Sequence, residues 1–181
     1  MSDAEHAPAQ ENRGGFHCLR MSFALTRAWE IPDARVDEVY DVLARGELLP
    51  QWWKGVYLDA VKLSETKAPT VGDRLRVRAR GALPYELNFI IEAVELVPER
   101  KVAVKTVGDF EGLWTATLSQ RGRDAHVDLV WQVTVLRPIL KFLAPALRPA
   151  FAWNHRWTTP RGEKGLKEYL AAQKQAPSSK T

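Results

Sequence analysis

From Leu19 to Ile31 the apolar residues fall on odd positions (Leu19, Met21, Phe23, Leu25, Trp29 and Ile31), with Ser22, Thr26 and Glu30 between them. A period of two sends alternate side chains to opposite faces of a pleated backbone, so this segment predicts a half-buried strand. Arg27 interrupts its apolar face. Pro32 stops the strand and Asp33 is placed as a helix N-cap. Val36, Val39, Tyr40 and Leu43 then recur at helical spacing as far as Gly46. Pro50 suits the first turn of a second short helix carrying Trp52 and Trp53.

Five further strands and one long helix follow in the pattern after a weaker strand over Val56 to Leu63. In Asp73 to Arg80, Leu75, Val77 and Ala79 face one way and Arg74, Arg76, Arg78 and Arg80 the other. Tyr85 to Val97 alternates through Tyr85, Leu87, Phe89, Ile91 and Ala93, then slips phase to Val94 and Leu96, which predicts a bulge near Ala93. Arg100 to Val107 and Leu113 to Gln120 are joined by Gly108-Asp-Phe-Glu-Gly112. The cleanest alternation sets Ala125, Val127, Leu129, Trp131, Val133 and Val135 inward, with His126, Asp128, Gln132 and Thr134 outward.

Between Pro138 and Leu170, steps of 100° per residue gather Ile139, Phe142, Leu143, Ala146, Leu147, Ala150, Trp153 and Trp157 on one broad stripe, away from Lys141, Arg148 and Arg156. On an unbroken helix Leu166 and Leu170 would fall opposite that stripe, so a kink or restart is expected at Thr159-Pro160.

One strand, two short helices, six strands and a long helix is an α+β order, and short links between neighbouring strands make the seven-stranded sheet antiparallel. A strongly curved sheet of this kind wraps the terminal helix and leaves a pocket between them. Residues 1–17 and 171–181 are polar and lack core-forming content, so they are read as flexible tails around a domain spanning 18–170, with Met21 as an alternative start to Met1.

Composition narrows the function. With 181 residues, 45% of them hydrophobic and 27% charged, one globular core is expected, and no apolar run reaches the roughly 20 residues a transmembrane segment needs. A net charge of +4 is a mild excess without the dense basic clustering of a nucleic-acid binder. The lone Cys18 fits a cytoplasmic location. His6, His17, His126 and His155 lack metal-ligand spacing, and neither a phosphate-binding Gly-rich loop nor a G-x-S-x-G elbow occurs, so no metal, nucleotide cofactor or covalent mechanism is expected. Seven tryptophans are the unusual feature, because such rings either fill cores or wall apolar sites.

The chain resembles the START-like (SRPBCC) superfamily with its helix-grip fold, and within it the polyketide cyclase/dehydrase and lipid-transport branch. The resemblance covers about residues 20–170. Ile31-Pro-Asp-Ala with the helix after it, Leu49-Pro-Gln-Trp-Trp, Val71-Gly-Asp-Arg, Gly108-Asp-Phe-Glu-Gly112 and Asn154-His155 followed by Glu163-x-Gly165-Leu166 carry it. It implies a cavity between sheet and terminal helix that holds a small hydrophobic or amphipathic ligand of lipid, polyketide or isoprenoid type. The alternative it implies is a cyclase, dehydratase or hydrolase acting in the same cavity, with Asn154 and a partner such as Tyr85. A third reading is a protein-interaction module of co-chaperone type. Oligomeric state is not legible.

Trp114, Trp131, Trp153, Trp157 and Phe89 project toward the same space, where they either wall the cavity or fill the core. Asn154 lies at the edge of the stripe, nearest a ligand, whereas His155 points about 140° away from its centre. By resemblance Trp52 and Trp53 gate the cavity mouth, Trp53 joining the ligand-binding set. Arg27 binds a ligand carboxylate, meets an internal acid or snorkels out. The arginine row grips an anionic partner or forms ion pairs with Glu86 and Glu92. Asp109 and Glu111 do acid–base work or form a solvated turn.

Overall fold

The computed structural model describes residues 21–81, 86–109, 111–135 and 144–175. Its strands are β1 (Met21–Ile31), β2 (Tyr57–Lys62), β3 (Arg74–Arg80), β4 (Glu86–Val97), β5 (Lys101–Gly108), β6 (Glu111–Arg121) and β7 (Asp124–Val135). Two short helices, α1 (Val36–Ala44) and α2 (Leu49–Trp52), follow β1 with a single 3-10 turn between them, and α3 (Ala144–Gln175) closes the described chain. All neighbouring strands pair antiparallel in the order β1-β7-β6-β5-β4-β3-β2. The detour through α1 and α2 carries the chain from one edge of the sheet to the other. This is the curved, helix-gripping α+β architecture expected.

The period-two segments form strands because one face of each is apolar. In β3, Leu75, Val77 and Ala79 are buried and all four arginines are exposed. Two of the four arginines pair across to β4, Arg74 3.9 Å from Glu92 and Arg78 3.7 Å from Glu86. The register shift in β4 falls between Ala93 and Glu95, where the phase slip predicted a bulge.

Three local expectations are corrected or refined. Asp33 does not cap α1: it sits in a turn at φ 50°, and the capping position is taken by Arg35. Glu38 accepts the Arg35 amide at 3.0 Å, and Gln120 accepts the Val36 amide at 2.8 Å. His126, although on the outward face, is buried, its ring nitrogens 2.6 Å from Glu30 and 3.2 Å from Asp128. Both contacts are donor contacts only if both nitrogens carry hydrogen. The ring lies between the Glu30 and Asp128 carboxylates, a placement that alternation alone does not reveal.

The third concerns α3. It neither breaks nor restarts at Thr159-Pro160 but runs unbroken to Gln175. Proline inside a helix costs about 3 kcal/mol because it removes an N–H and its ring meets a carbonyl one turn back. Here neighbouring carbonyls acquire side-chain donors: Arg161 Nη1 donates to the Trp157 carbonyl at 2.8 Å and Trp53 Nε1 to that of Thr158 at 3.0 Å. Burial of Leu166 and Leu170, about 2 kcal/mol each, offsets the remaining cost. At the end of α3, Lys174 donates to the Asp33 carbonyl at 2.6 Å and pairs with Glu38 at 3.0 Å, tying the helix to the start of α1. Pro138 to Leu143, where the sequence begins this helix, lie outside the described residues.

Candidate functional site

Buried apolar residues form two clusters. One joins Trp29, Val39, Trp52, Trp53, Val102, Val127 and Leu166 across β1, the short helices and α3. The other is built on β3 and β4 from Leu75, Val77, Ala79, Phe89 and Ile91, with Val133. Leu49, Tyr57 and Val104 touch both. Between the clusters lies a cavity of about 170 Å³, roofed by α1, α2 and the Thr158-Thr159 turn of α3.

Helix α3 reaches this position because Gly162 and Gly165 leave room for α2. A Cβ on Gly162 would stand 2.5 Å from Trp53 Cε2, and one on Gly165 would overlap the Trp52 carbonyl oxygen. The stripe Thr159, Gly162, Leu166 and Leu170 is therefore the buried face of the helix. Trp52 and Trp53 are stacked at 5.1 Å, and Trp29 meets both edge-on at 6.4 and 5.8 Å. The indole N–H of Trp53 is spent on α3. Those of Trp29 and Trp52 are buried with no partner among the described residues.

The predicted site residues separate into groups. Trp53, Phe89, Trp114 and Trp131 line the cavity. Trp153 and Trp157 do not: Trp153 is 46% exposed, and Trp157 packs partly on the core with Arg161 stacked 3.7 Å over its ring. With α3 unbroken, the Leu166 side rather than the Trp153 side turns inward. Tyr85 and the Asn154 side chain lie outside the described residues. Trp52 and Trp53 are only 2% and 8% exposed, packed into the wall and core.

The remaining candidates take structural places. Arg27 is exposed and donates to the neighbouring Thr26 carbonyl at 3.3 Å, with no acidic partner among the described residues. Asp109 accepts the Asn88 amide at 2.9 Å, as a turn carboxylate does.

The sequence did not single out the polar part of the wall. Lys62, Thr70 and Asp73 line one end of the cavity. Both Asp73 oxygens are occupied: Oδ1 by Ser64 at 2.8 Å and Thr66 at 2.5 Å, Oδ2 by the Thr70 amide at 3.0 Å and Lys62 at 2.9 Å. Burial works to raise the Asp73 pKa, but the hydrogen bonds from Thr66, Lys62, Ser64 and Thr70 outweigh it and hold the carboxyl well below the usual range. Lys62 also donates to the Thr66 carbonyl at 2.8 Å. Thr106 donates to the Gly112 carbonyl at 3.3 Å. On the same inward side of β2, Tyr57 packs its ring 5.2 Å from Trp53, and burial pushes its phenol up to about 12. The signal for the Asp73 knot was the Ser64, Thr66 and Thr70 run before it. Nothing in the weak β2 pattern marked Tyr57.

A sheet closed around a C-terminal helix, with an aromatic-walled cavity between them, defines the START-like helix-grip class. Residues 32–156 match the model of the polyketide cyclase / dehydrase and lipid transport family, and the chain belongs to that family. No curated protein matches it. Among solved structures, the Zhui aromatase/cyclase of a Streptomyces species aligns with a TM-score of 0.71 at 12% identity, covering 87% of this chain and 99% of that one. A Thermus thermophilus protein aligns at 0.67 and 19% identity, covering 84% and 99%. Norcoclaurine synthase from Thalictrum flavum aligns at 0.61 and 12% identity, covering 94% and 99%. At such identities the likeness is one of fold. Among the described residues no helix is long and apolar enough to cross a membrane.

Proposed function

We propose that the protein binds a small hydrophobic or amphipathic ligand of lipid, polyketide or isoprenoid type in the cavity between the sheet and α3. The observation that carries this reading is the cavity itself, about 170 Å³ walled by Trp53, Phe89, Trp114, Trp131, Leu75 and Leu129. A single water needs about 10–15 Å³ measured this way and several polar partners, so a mostly apolar space of this size is better matched by an organic ligand. Binding is favoured over proton-transfer chemistry because two of the titratable groups on the wall are far from exchanging protons near neutrality. Tyr57 is held at about 12, and the Asp73 carboxylate is locked by four donors.

The test is native mass spectrometry of the purified protein together with titration by N-phenylnaphthylamine, read through tryptophan fluorescence. Saturable one-to-one binding is expected, reduced more than about tenfold in Ala79→Phe, whose new ring would occupy the cavity. Absence of saturable binding in the wild type, or no loss in a folded Ala79→Phe, overturns the reading. A carried ligand whose mass changes with time would replace it by the cyclase or dehydratase alternative.

A further inference from the structure

We infer that the Tyr57 hydroxyl is the specificity-determining hydrogen-bond donor of the cavity, selecting ring-bearing ligands with an uncharged oxygen acceptor such as a ketone or ester carbonyl. The inference rests on the cavity-binding reading and adds which chemistry that cavity prefers.

Most polar groups of the wall are spent on the protein itself. Trp53 Nε1 is used by the Thr158 carbonyl, Thr106 by the Gly112 carbonyl and Thr70 Oγ1 by the Ala68 carbonyl. Asp73 has both oxygens filled, and Lys62 spends two donors holding Asp73 and the Thr66 carbonyl. These groups build the protein, and Trp52 Nε1, which has no partner among the described residues, is buried without surface for a ligand.

Tyr57 differs. It bridges the two buried clusters and lines the cavity, yet its hydroxyl has no partner among the described residues. The ring is fixed by Trp53 at 5.2 Å and by the β2 backbone, whose Tyr57 amide donates to the Trp53 carbonyl at 3.1 Å. The residue is only partly buried, so its hydroxyl keeps surface on the mostly apolar cavity, where a ligand acceptor would meet little competition from other polar groups. Burial keeps the phenol neutral across the physiological range, so it serves as a donor and not as a base. A neutral donor beside apolar rings gains from a carbonyl, whereas a carboxylate would have to leave water for one neutral hydrogen bond, because the Lys62 ammonium on the wall is already neutralised by Asp73 and Arg80, the other cation of the lining, is exposed to solvent. The flanking Trp53 and Phe89 rings supply stacking surface for a planar ligand body.

The experiment compares two probes of nearly equal size, acetylnaphthalene with its carbonyl and ethylnaphthalene without, on wild type and Tyr57→Phe by isothermal titration calorimetry. The expected result is that Tyr57→Phe weakens acetylnaphthalene about fivefold, the order a buried uncharged hydrogen bond contributes, and changes ethylnaphthalene less than twofold. Wild-type affinity for acetylnaphthalene should be flat from pH 6 to 9, roughly, since no titration of Tyr57 falls there. Should the variant fail to fold, the infrared carbonyl stretch of acetylnaphthalene bound to the wild type decides: a shift to lower frequency than in hexane supports the hydrogen bond, and an unshifted band overturns it. Equal weakening of both probes, or of neither, overturns the inference while leaving the cavity reading intact. If neither probe binds the wild type, the cavity reading fails first.

Discussion

Gly165→Ala tests how closely α3 lies on α2, and it does so through the sign of a stability change. In a helix interior, replacing glycine by alanine normally stabilises by about 1 kcal/mol, because alanine loses less backbone entropy on folding. At Gly165 the added methyl would overlap the carbonyl oxygen of Trp52. That atom is backbone and cannot rotate aside, so the helices must separate or the α2 turn must shift, at a cost of about 3 kcal/mol for overpacking. The net expectation is a loss of about 2 kcal/mol. With an m-value of about 2 kcal/mol/M, the urea midpoint falls by roughly 1 M. Gly162→Ala should also destabilise, less severely, since its methyl would stand 2.5 Å from the Trp53 ring, a side chain that can yield by loosening its bond to Thr158. Urea titration followed by circular dichroism measures both. A midpoint raised by Gly165→Ala would refute the close packing and with it the placement of Thr158 and Thr159 over the cavity.

The Asp73 knot predicts a loss of about 3 kcal/mol in Asp73→Asn, because the largely buried Lys62 ammonium loses its counter-ion. The sign with pH follows from the lowered Asp73 pKa: its stabilising contribution is complete above the unfolded value of about 4 and is lost as pH falls below that toward the native value. Urea midpoints of wild type and variant should therefore converge below about pH 4; a constant gap down to pH 2, roughly, would contradict this. By contrast, Arg78→Ala should change stability by no more than about 0.5 kcal/mol, since its pair with Glu86 is half exposed on both sides and 3.7 Å long. A larger loss by the same titration would mean the arginine row carries more than solvent-screened pairing.

Much of the fold was legible because strands with one buried face must alternate. The β3 arginines, the Ala93 slip and the inward Leu129 and Val133 read directly from period two, and the family motifs tied them into one topology. Three of the aromatic wall residues, Phe89, Trp114 and Trp131, were legible for the same reason, since they sit on inward strand positions, and Trp53 was legible from the helix-initiating proline before it.

Local pattern failed where a long-range partner set the outcome. The apolar stripe made Trp153 and Trp157 look inward, and a kink or restart at Pro160 was expected to reconcile them with Leu166 and Leu170; instead the helix is continuous, Leu166 is buried and Trp153 is exposed. Asp73 and Tyr57 showed the same limit. A carboxylate is a turn residue or a buried anchor according to which side chains converge on it, and a tyrosine is core or cavity wall according to what stands opposite. The sequence by itself determined which residues face inward along each strand, since that depends only on backbone geometry and neighbours two positions away. The tertiary structure alone decided which inward residues meet one another and which leave a space between them, because that depends on contacts between segments far apart in the chain, such as Gly165 against Trp52.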